Sequence, residues 1–244
     1  MNASESLQPK IRFIIFSMAR SGTSWLTTAL RSHPDILCHG EALLPRHFDR
    51  HIFGSAKAVL SAEMCERDPV AFLQALYSHN DGHAAVGCKV FPGHSKTAQA
   101  ALLADQSIAK IVLKRENALA AWSSLLTARK TGRWNANVKE KGADISSPVM
   151  FEPAKFEAYL KRRARFFRKI DRRLQGPRLN LTYATDIMQQ RARPVLEFLG
   201  VPAEVTLSSD KRKMLGRSIT ERFENTEELA AYLKETGRAG WAYE

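Results

Sequence analysis

The sequence contains no apolar run that approaches the ~18 residues of a membrane-spanning helix. Residues 1–9 also lack the basic start and the apolar stretch of a signal peptide. Only three cysteines are present, Cys38, Cys65 and Cys88, and their spacing fits neither a disulfide framework nor a metal site. We therefore expect a cytoplasmic protein with free thiols, no transmembrane segment and no bound metal.

Two common nucleotide-binding motifs are also absent. No G-x-G-x-x-G follows a predicted strand, which weighs against a dinucleotide-binding fold. Aligned on Gly22, the G-x-x-x-x-G-K-[ST] loop would have Ser17 at its first glycine, Thr23 at its lysine and Ser24 at its Mg²⁺-ligand position. The lysine that contacts the β- and γ-phosphates is therefore missing, and Arg20 is the nearby cation. Such a loop suits a single 5′-phosphate better than a metal-bound triphosphate.

The charge balance points to an anionic partner. The 244 residues include 37 Lys and Arg against 25 Asp and Glu, a net charge of +12 with a pI of about 9.8. Nine of these cations lie in the predicted helix at 153–174. That helix is either an amphipathic helix with a solvated basic face, or a surface for an acidic substrate or a lipid headgroup.

Apolar runs alternate with helical patterns along the chain. Strands are predicted at 11–17, 84–91, 109–114 and 179–183, and residues 36–41 are a further strand or an extended turn. Helices are predicted between them, including 55–65 and 186–199, the latter interrupted near Pro194. This order predicts a three-layer α/β fold with a central, mainly parallel sheet flanked by helices. We expect residues 1–244 to form one domain, with residues 1–9 flexible.

Two predicted loops are long for a compact domain. Residues 42–54 contain Pro45 and Gly54, and residues 131–150 are polar, with a length typical of a lid or a substrate-binding loop. We expect the acceptor pocket of an enzyme to come from residues 42–80 and 131–150.

The stretch 11–31 is the main candidate site. An Ile- and Phe-rich strand runs into a short polar loop around Gly22, and a helix follows. Backbone N–H groups and a helix dipole converge on an anion at such a turn, and Arg20 adds a positive charge. We interpret it as a phosphate-binding loop, with a ligand-free strand–turn–helix as the alternative.

A second constellation lies around the predicted strand at 109–114. Arg115 stands at the end of this strand, and Ser123 lies eight residues further on, two turns into the next helix. A guanidinium and a hydroxyl so placed can hold a second phosphate from two sides. The alternatives are an ion-pair donor for Arg115 and a surface position for Ser123.

Together these segments resemble the sulfotransferases that use 3′-phosphoadenosine 5′-phosphosulfate (PAPS), and most of all the bacterial carbohydrate group with the trehalose- and nodulation-factor-type enzymes. Arg115 and Ser123 match the family pair that holds the 3′-phosphate, and Lys89 with His94 is similar to a Lys-x-Phe-x-x-His element of that group. Residues 131–134 resemble the segment after the 3′-phosphate helix. The family's 5′-phosphosulfate loop is similar to residues 20–26, which implies donor-binding roles for Arg20, Ser21, Gly22, Thr23, Ser24 and Trp25.

The resemblance implies a P-loop-like sulfotransferase fold and transfer of a sulfuryl group from PAPS to a hydroxyl of a carbohydrate or glycolipid. The basic composition leaves room for an anionic acceptor. Arg20 and Lys89 would stabilise the developing charge without a metal. The resemblance assigns the general base to Glu41, with His94 and His39 as competing bases.

Two departures from the family pattern stand beside this match. Met18-Ala19 precede Arg20 where many relatives carry a proline. Residues 213–217 match the family's nucleotide-covering segment only weakly, so they are not among the predicted site residues. Alternatives are an ATP-dependent small-molecule kinase on a related P-loop fold and a non-catalytic protein that binds nucleic acid or another anion. Nucleic acid is the less favoured partner, and the sequence leaves open whether the chain forms a homo-oligomer.

Overall fold

The structure, a computed structural model, describes residues 9–134, 147–211 and 218–244. The strands in these ranges are β1 (Ile11–Ser17), β2 (Ile36–Cys38), β3 (Ala85–Val90), β4 (Ile108–Lys114) and β5 (Arg178–Thr182). The helices are α1 (Thr23–Arg31), α2 (Phe48–His51), α3 (Ala56–Val59), α4 (Ala62–Arg67), α5 (Pro69–Ser78), α6 (Lys96–Ala104), α7 (Ala118–Thr131), α8 (Pro153–Arg173), α9 (Arg193–Phe198) and α10 (Thr226–Glu235). Short 3₁₀ turns lie at Pro45–His47, Thr220–Arg222 and Ala239–Ala242, and a wide π-type turn lies at Tyr183–Ile187.

The five strands form one parallel sheet in the order β2-β3-β1-β4-β5. The central strand β1 pairs with β3 on one side and β4 on the other, and Phe16 stands opposite both Val90 and Val112. Because all five strands run the same way, the segments that follow them meet at one edge of the sheet. The predicted three-layer α/β architecture with a parallel sheet is confirmed.

Apolar side chains leave β1 on both faces of the sheet. Ile14 and Phe16 enter the core on one face, under α5 to α8, whereas Phe13 and Ile15 enter the other, under α1 and α9. All four are fully buried, which explains why the strand is a continuous apolar run rather than an alternating one.

Three predicted element boundaries were wrong. The predicted loop at 42–54 contains the short helix α2, and the predicted helix at 55–65 is two helices, because the Ser61 side chain accepts a hydrogen bond from the Met64 N–H and starts α4. The predicted helix at 186–199 begins only at Arg193, because the Asp186 carboxylate binds the Thr182 N–H at 2.7 Å and holds the chain in a wide turn.

Some sequence predictions fall partly or wholly outside the described residues. These are the flexible start at 1–9, the polar loop at 131–150 and the segment 213–217. One domain for residues 1–244 stays a prediction. The three cysteine thiols are buried and unpaired, as the sequence predicts. In the part of the chain that the structure describes, no helix combines the length and the apolar character that a membrane span needs.

The close contact between β1 and β3 predicts a stability effect. A Cβ atom on Gly87 would lie 2.5 Å from the buried ring of Phe13, whereas one on Gly93 would have no atom within 4 Å. We expect Gly87→Ala to lower the free energy of unfolding by about 1–3 kcal/mol because the packed ring cannot yield without strain. Urea unfolding of both variants measures this, and an equal effect of Gly93→Ala would contradict it.

Candidate active site

The loop between β1 and α1 lies at the carboxyl edge of the sheet, between the ends of β3 and β4. Gly22 precedes α1 with a φ of 83°, a left-handed conformation that favours glycine, and Arg20 has a φ of 68°. Among the described residues no side chain caps the first turn of α1, and that turn contains no acid. Its N–H groups and the positive end of its dipole can therefore bind an anion.

Three arginines converge beside this loop. Arg115, which follows β4, donates from a terminal nitrogen to the Arg20 backbone oxygen at 2.9 Å, and the Arg20 Nε donates to Ser124 Oγ at 2.9 Å. Burial and then the nearby Arg115 charge lower the pKa of Arg20 to about 10, and the same two causes lower the pKa of Arg222. A nearby anion would offset the mutual repulsion of these guanidinium groups.

The Glu244 carboxylate supplies an anion to this cluster. It accepts two hydrogen bonds from Arg115, one of them between Nε and Oε1 at 2.6 Å. The guanidinium lies over the Tyr183 ring at 4.2 Å, and both partners of the ion pair are nearly buried. The Asn117 side chain holds the approaching segment by donating to the backbone oxygens of Trp241 and Tyr243 at 2.9 and 2.8 Å. Arg115 is thus bound as it would bind a phosphate, through a two-bond fork.

Ser123 is buried in α7 and faces the same cluster. Its hydroxyl donates to the Ala120 backbone oxygen at 3.0 Å and accepts from an Arg222 terminal nitrogen at 3.3 Å. Arg222 therefore contacts Ser123 directly and interacts with the charge of Arg115. Sequence reasoning missed Arg222, Ser124 and Glu244, because two of them lie where the family resemblance is weak and Ser124 carries no motif signal of its own.

Glu41 and Lys89 meet because the β2–β3 pairing continues past the end of β2. The His39 N–H donates to the Gly87 oxygen at 2.7 Å, and the Lys89 N–H donates to the Gly40 oxygen at 3.0 Å. The Lys89 ammonium then lies 3.5 Å from Glu41 Oε1 and 3.5 Å from Ser24 Oγ in the first turn of α1. One cation thus contacts both the candidate base and the anion-binding loop.

The two histidines named as competing bases have their acceptor nitrogens in use. His94 Nδ1 accepts from the Phe91 N–H at 3.4 Å, so Nε2 carries the proton and faces Glu41 Oε2 at 3.4 Å. His39 Nδ1 accepts from the Phe53 N–H at 3.2 Å, and the whole ring is buried. Burial lowers the pKa of His39 to about 3. The geometry therefore favours Glu41 as the proton acceptor.

The partners of Glu41 keep it ionised. Burial acts to raise its pKa, but the hydrogen bond from His94 and the positive charge of Lys89 together outweigh burial and lower the pKa to about 2. Burial lowers the pKa of Lys89, because it disfavours the charged ammonium, and the negative charge of Glu41 opposes that shift. Each member of the pair thus favours the charged form of the other.

A cavity of about 760 Å³ opens in front of this pair. Ser24, Glu41 and Lys89 line it, together with the aromatic rings of Phe53, Phe91 and Trp134. The Trp134 side chain is 48% exposed, and its backbone oxygen accepts a hydrogen bond from Arg20. Within the described residues, no group of three His, Cys, Asp or Glu side chains is placed to hold a metal ion.

Not every residue of the predicted loop faces this cavity. The side chains of Ser21 and Thr23 are buried, and only Ser24 lines the cavity wall. Trp25 lines a second cavity of about 440 Å³ together with Arg191 and Pro194.

Comparisons with known proteins give two kinds of match. Nodulation protein H of Rhizobium meliloti (strain 1021) is 29% identical over 229 residues, which cover 91% of this chain and 89% of that protein. Nodulation protein H of Rhizobium tropici is 27% identical, with 85% and 84% covered. The crystal structure of a sulfotransferase from Alicyclobacillus acidocaldarius is 19% identical, with 95% and 94% covered and a TM-score of 0.48. The sequence matches no family model.

The pKa of Glu41 should respond to His94. His94→Ala removes the hydrogen bond, so we expect the Glu41 pKa to rise from about 2 towards its ordinary 4.5. Carboxyl ¹³C chemical shifts against pH measure it directly. A pKa below 4.5 favours the folded state, and that contribution is lost as pH falls from 4.5 towards 2, so the variant should also lose less stability over this range.

His79→Ala is the matched control, because His79 bonds the Ala75 backbone oxygen at the end of α5 and does not contact Glu41. An unchanged Glu41 titration in His94→Ala would show that the hydrogen bond from His94 does not set the pKa.

Proposed function

We propose that this chain is a sulfotransferase that moves a sulfuryl group from PAPS to a hydroxyl group of a carbohydrate or glycolipid acceptor. The observation that carries the proposal is the placement of Glu41 and Lys89 beside Ser24, at the open first turn of α1 and at the wall of a large cavity. The candidate base Glu41, the cation Lys89 and the anion-binding loop at Ser24 thus line the same cavity.

Two anion-binding positions at this edge fit the two charged ends of PAPS. The N–H groups of α1 and the Arg20 guanidinium would bind the 5′-phosphosulfate. Arg115 and Ser123 would bind the 3′-phosphate, and Arg222 joins them because it contacts the Ser123 hydroxyl. The Glu244 carboxylate supports this assignment, because Arg115 donates two hydrogen bonds to it, as it would to a phosphate.

Trp25 fits a third part of the donor. Its indole ring lines the 440 Å³ cavity on the α9 side of the loop. An adenine ring can stack on an aromatic face of this kind. Trp25 would therefore bind the adenine of the donor, outside the cavity that Glu41 lines.

In the proposed reaction, the acceptor oxygen forms a bond to sulfur as the bond between sulfur and the phosphate oxygen breaks in line with it. The acceptor proton passes to Glu41, and 3′-phosphoadenosine 5′-phosphate (PAP) leaves with the electron pair of the broken bond. Negative charge grows on the leaving oxygen and on the sulfuryl oxygens. Lys89, Arg20 and the α1 N–H groups would stabilise it, since preplaced charges and dipoles are the main catalytic requirement of such transfers.

Lys89 would link donor binding to the activity of the base. While it is paired with Glu41, the pKa of that carboxylate is about 2, which makes it a weak proton acceptor. The same ammonium is 3.5 Å from Ser24 Oγ, within reach of a sulfuryl group on the loop. A donor that draws Lys89 towards itself would raise the proton affinity of Glu41 at the moment when the proton must be taken.

The cavity suits a sugar. Its volume of about 760 Å³ is in the range of small-ligand sites, and three aromatic rings line it beside polar groups. The half-exposed Trp134 offers a flat apolar face to a sugar ring. The similarity to nodulation protein H and the resemblance of the motifs to carbohydrate sulfotransferases agree with this acceptor class.

Donor binding tests the proposal against its two alternatives. We expect PAP to raise the melting temperature of the protein, and ATP with Mg²⁺ to raise it much less, because Thr23 stands where a triphosphate loop has its lysine. An equal response to both nucleotides would favour a kinase. Binding to random duplex DNA that falls steeply with salt, without a response to PAP, would favour a nucleic-acid-binding protein.

Transfer of ³⁵S-sulfate from labelled PAPS to a glycan panel then tests catalysis with Glu41→Gln. We expect this variant to keep PAP binding and to lose about 10²–10⁴-fold in turnover, the usual contribution of a general base. The control is Glu63→Gln, which changes an exposed acid in α4. Full turnover by Glu41→Gln would remove Glu41 from the mechanism.

Glu244 should compete with the donor. Because its carboxylate occupies the two-bond position on Arg115, we expect Glu244→Gln to bind PAP several-fold more tightly than the native chain. Adenosine 5′-phosphosulfate, which lacks the 3′-phosphate, should bind both proteins equally. Isothermal titration calorimetry measures both affinities. Weaker PAP binding by the variant would mean that Glu244 helps to hold the donor.

A further inference from the structure

The cavity of about 760 Å³, which is the proposed acceptor site, is lined by more cationic than acidic side chains. Five Lys or Arg side chains line the cavity against two acidic ones. Lys89 is paired with Glu41, and Lys211 lies 3.0 Å from Asp210. The cations that lie beyond these pairs on the wall are Arg31, Arg46 and Arg50.

Arg46 and Arg50 differ from the other cations of the cavity. Both are exposed, and within residues 9–134, 147–211 and 218–244 neither has an ion-pair partner. Arg31 is more constrained, because its guanidinium lies 3.5 Å from the centre of the Phe53 ring and donates twice to the Cys38 backbone oxygen.

The segment that carries these two arginines is fixed to the candidate base. The Leu44 N–H donates to the Glu41 backbone oxygen at 2.9 Å, and the Gly40 N–H donates to the His51 backbone oxygen at 2.8 Å. Phe48 packs against Phe72 of α5 with ring centres 6.2 Å apart. The backbone of α2 is therefore held at a set position relative to the Glu41 carboxylate, as a specificity site requires.

Nearby groups on the same segment are not expected to neutralise the arginines. Burial, together with the charges of Lys89 and neighbouring histidines, lowers the pKa of His51 to about 4 in spite of Glu41, so His51 is neutral at pH 7. The exposed Asp49 belongs to α2 but does not line the cavity. Cations on a concave wall with apolar neighbours concentrate the field, and they attract an anion more strongly than cations on a flat surface.

We propose that the acceptor carries an anionic group of its own, a phosphate ester or a carboxylate, which Arg46 and Arg50 bind while its hydroxyl faces Glu41. This inference rests on the proposed function and names the class of acceptor that the site selects. Guanidinium groups suit both anions, because their planar N–H forks match phosphate and carboxylate oxygens.

This site is separate from the basic face of α8. The cationic residues of α8 do not line the cavity. The net charge of +12 thus has at least two sources. Of these two groups of cations, Arg46 and Arg50 are the ones that line the cavity and are placed to select an acceptor. The α8 face supplies a matched control, because Arg172 and Arg173 are also exposed and also have no ion-pair partner among the described residues.

The test uses neutral sugars paired with their anionic forms: glucose with glucose 1-phosphate and glucuronic acid, and N-acetylglucosamine with its 1-phosphate. In ³⁵S transfer from PAPS, we expect kcat/KM to be about tenfold or more higher for the anionic member of a pair. Arg46→Gln/Arg50→Gln should remove this preference, and Arg172→Gln/Arg173→Gln should keep it. The phosphate and carboxylate arms show which anion is preferred.

Binding measured without turnover keeps the two proposals apart. Calorimetry on protein saturated with PAP reports sugar binding when the donor site is already filled, and PAP titration of each variant reports the donor site alone. No PAP binding and no transfer would overturn the proposed function. With PAP bound, equal affinity for neutral and anionic sugars, or a preference that survives in Arg46→Gln/Arg50→Gln, would overturn the anionic acceptor.

Discussion

The parallel pairing of β1 with both β3 and β4 is the constraint on which the candidate site depends. It places the ends of three strands side by side, so the loop after Ser17, the β3 residue Lys89 and the β4-end residue Arg115 reach one edge. Both faces of β1 are sealed by fully buried side chains, which fixes the register. A one-residue slip of β3 would turn Lys89 to the opposite face and break its contacts with Glu41 and Ser24.

The second constraint is electrostatic. Arg20, Arg115 and Arg222 are held close together away from bulk water. Burial, and then the positive charge of Arg115, lowers the pKa of Arg20 and of Arg222. A protein retains such a cluster at a cost in stability unless an anion completes it. Glu244 completes it in this structure, and the 3′-phosphate would complete it in the proposed donor complex. In the proposed complex, the 3′-phosphate would therefore exchange with a carboxylate instead of entering an empty site.

The sequence predicted the parallel sheet and the strand–loop–helix turns around Gly22 and Arg115, because buried strands and such turns have strong local patterns. It could not predict that Arg222 reaches Ser123, since a contact over 99 residues leaves no periodic signal. The basic wall at Arg46 and Arg50 was missed for a similar reason. The segment around Pro45 has the composition of a loop, and its position is fixed by contacts that leave no sequence pattern, such as the backbone bond from Gly40 to His51.

The position of Lys89 also bears on the order of events at the proposed site. Without a donor, the Glu41 carboxylate is ion-paired with Lys89 and accepts a hydrogen bond from His94. An acceptor that enters first therefore meets a carboxylate with little affinity for the proton of the acceptor hydroxyl. An anionic acceptor would still be held by Arg46 and Arg50, because that contact does not depend on Lys89. Acceptor binding and base activation are thus separate in this geometry. In the proposed mechanism, donor binding would couple the two steps, because a donor that attracts Lys89 raises the proton affinity of Glu41.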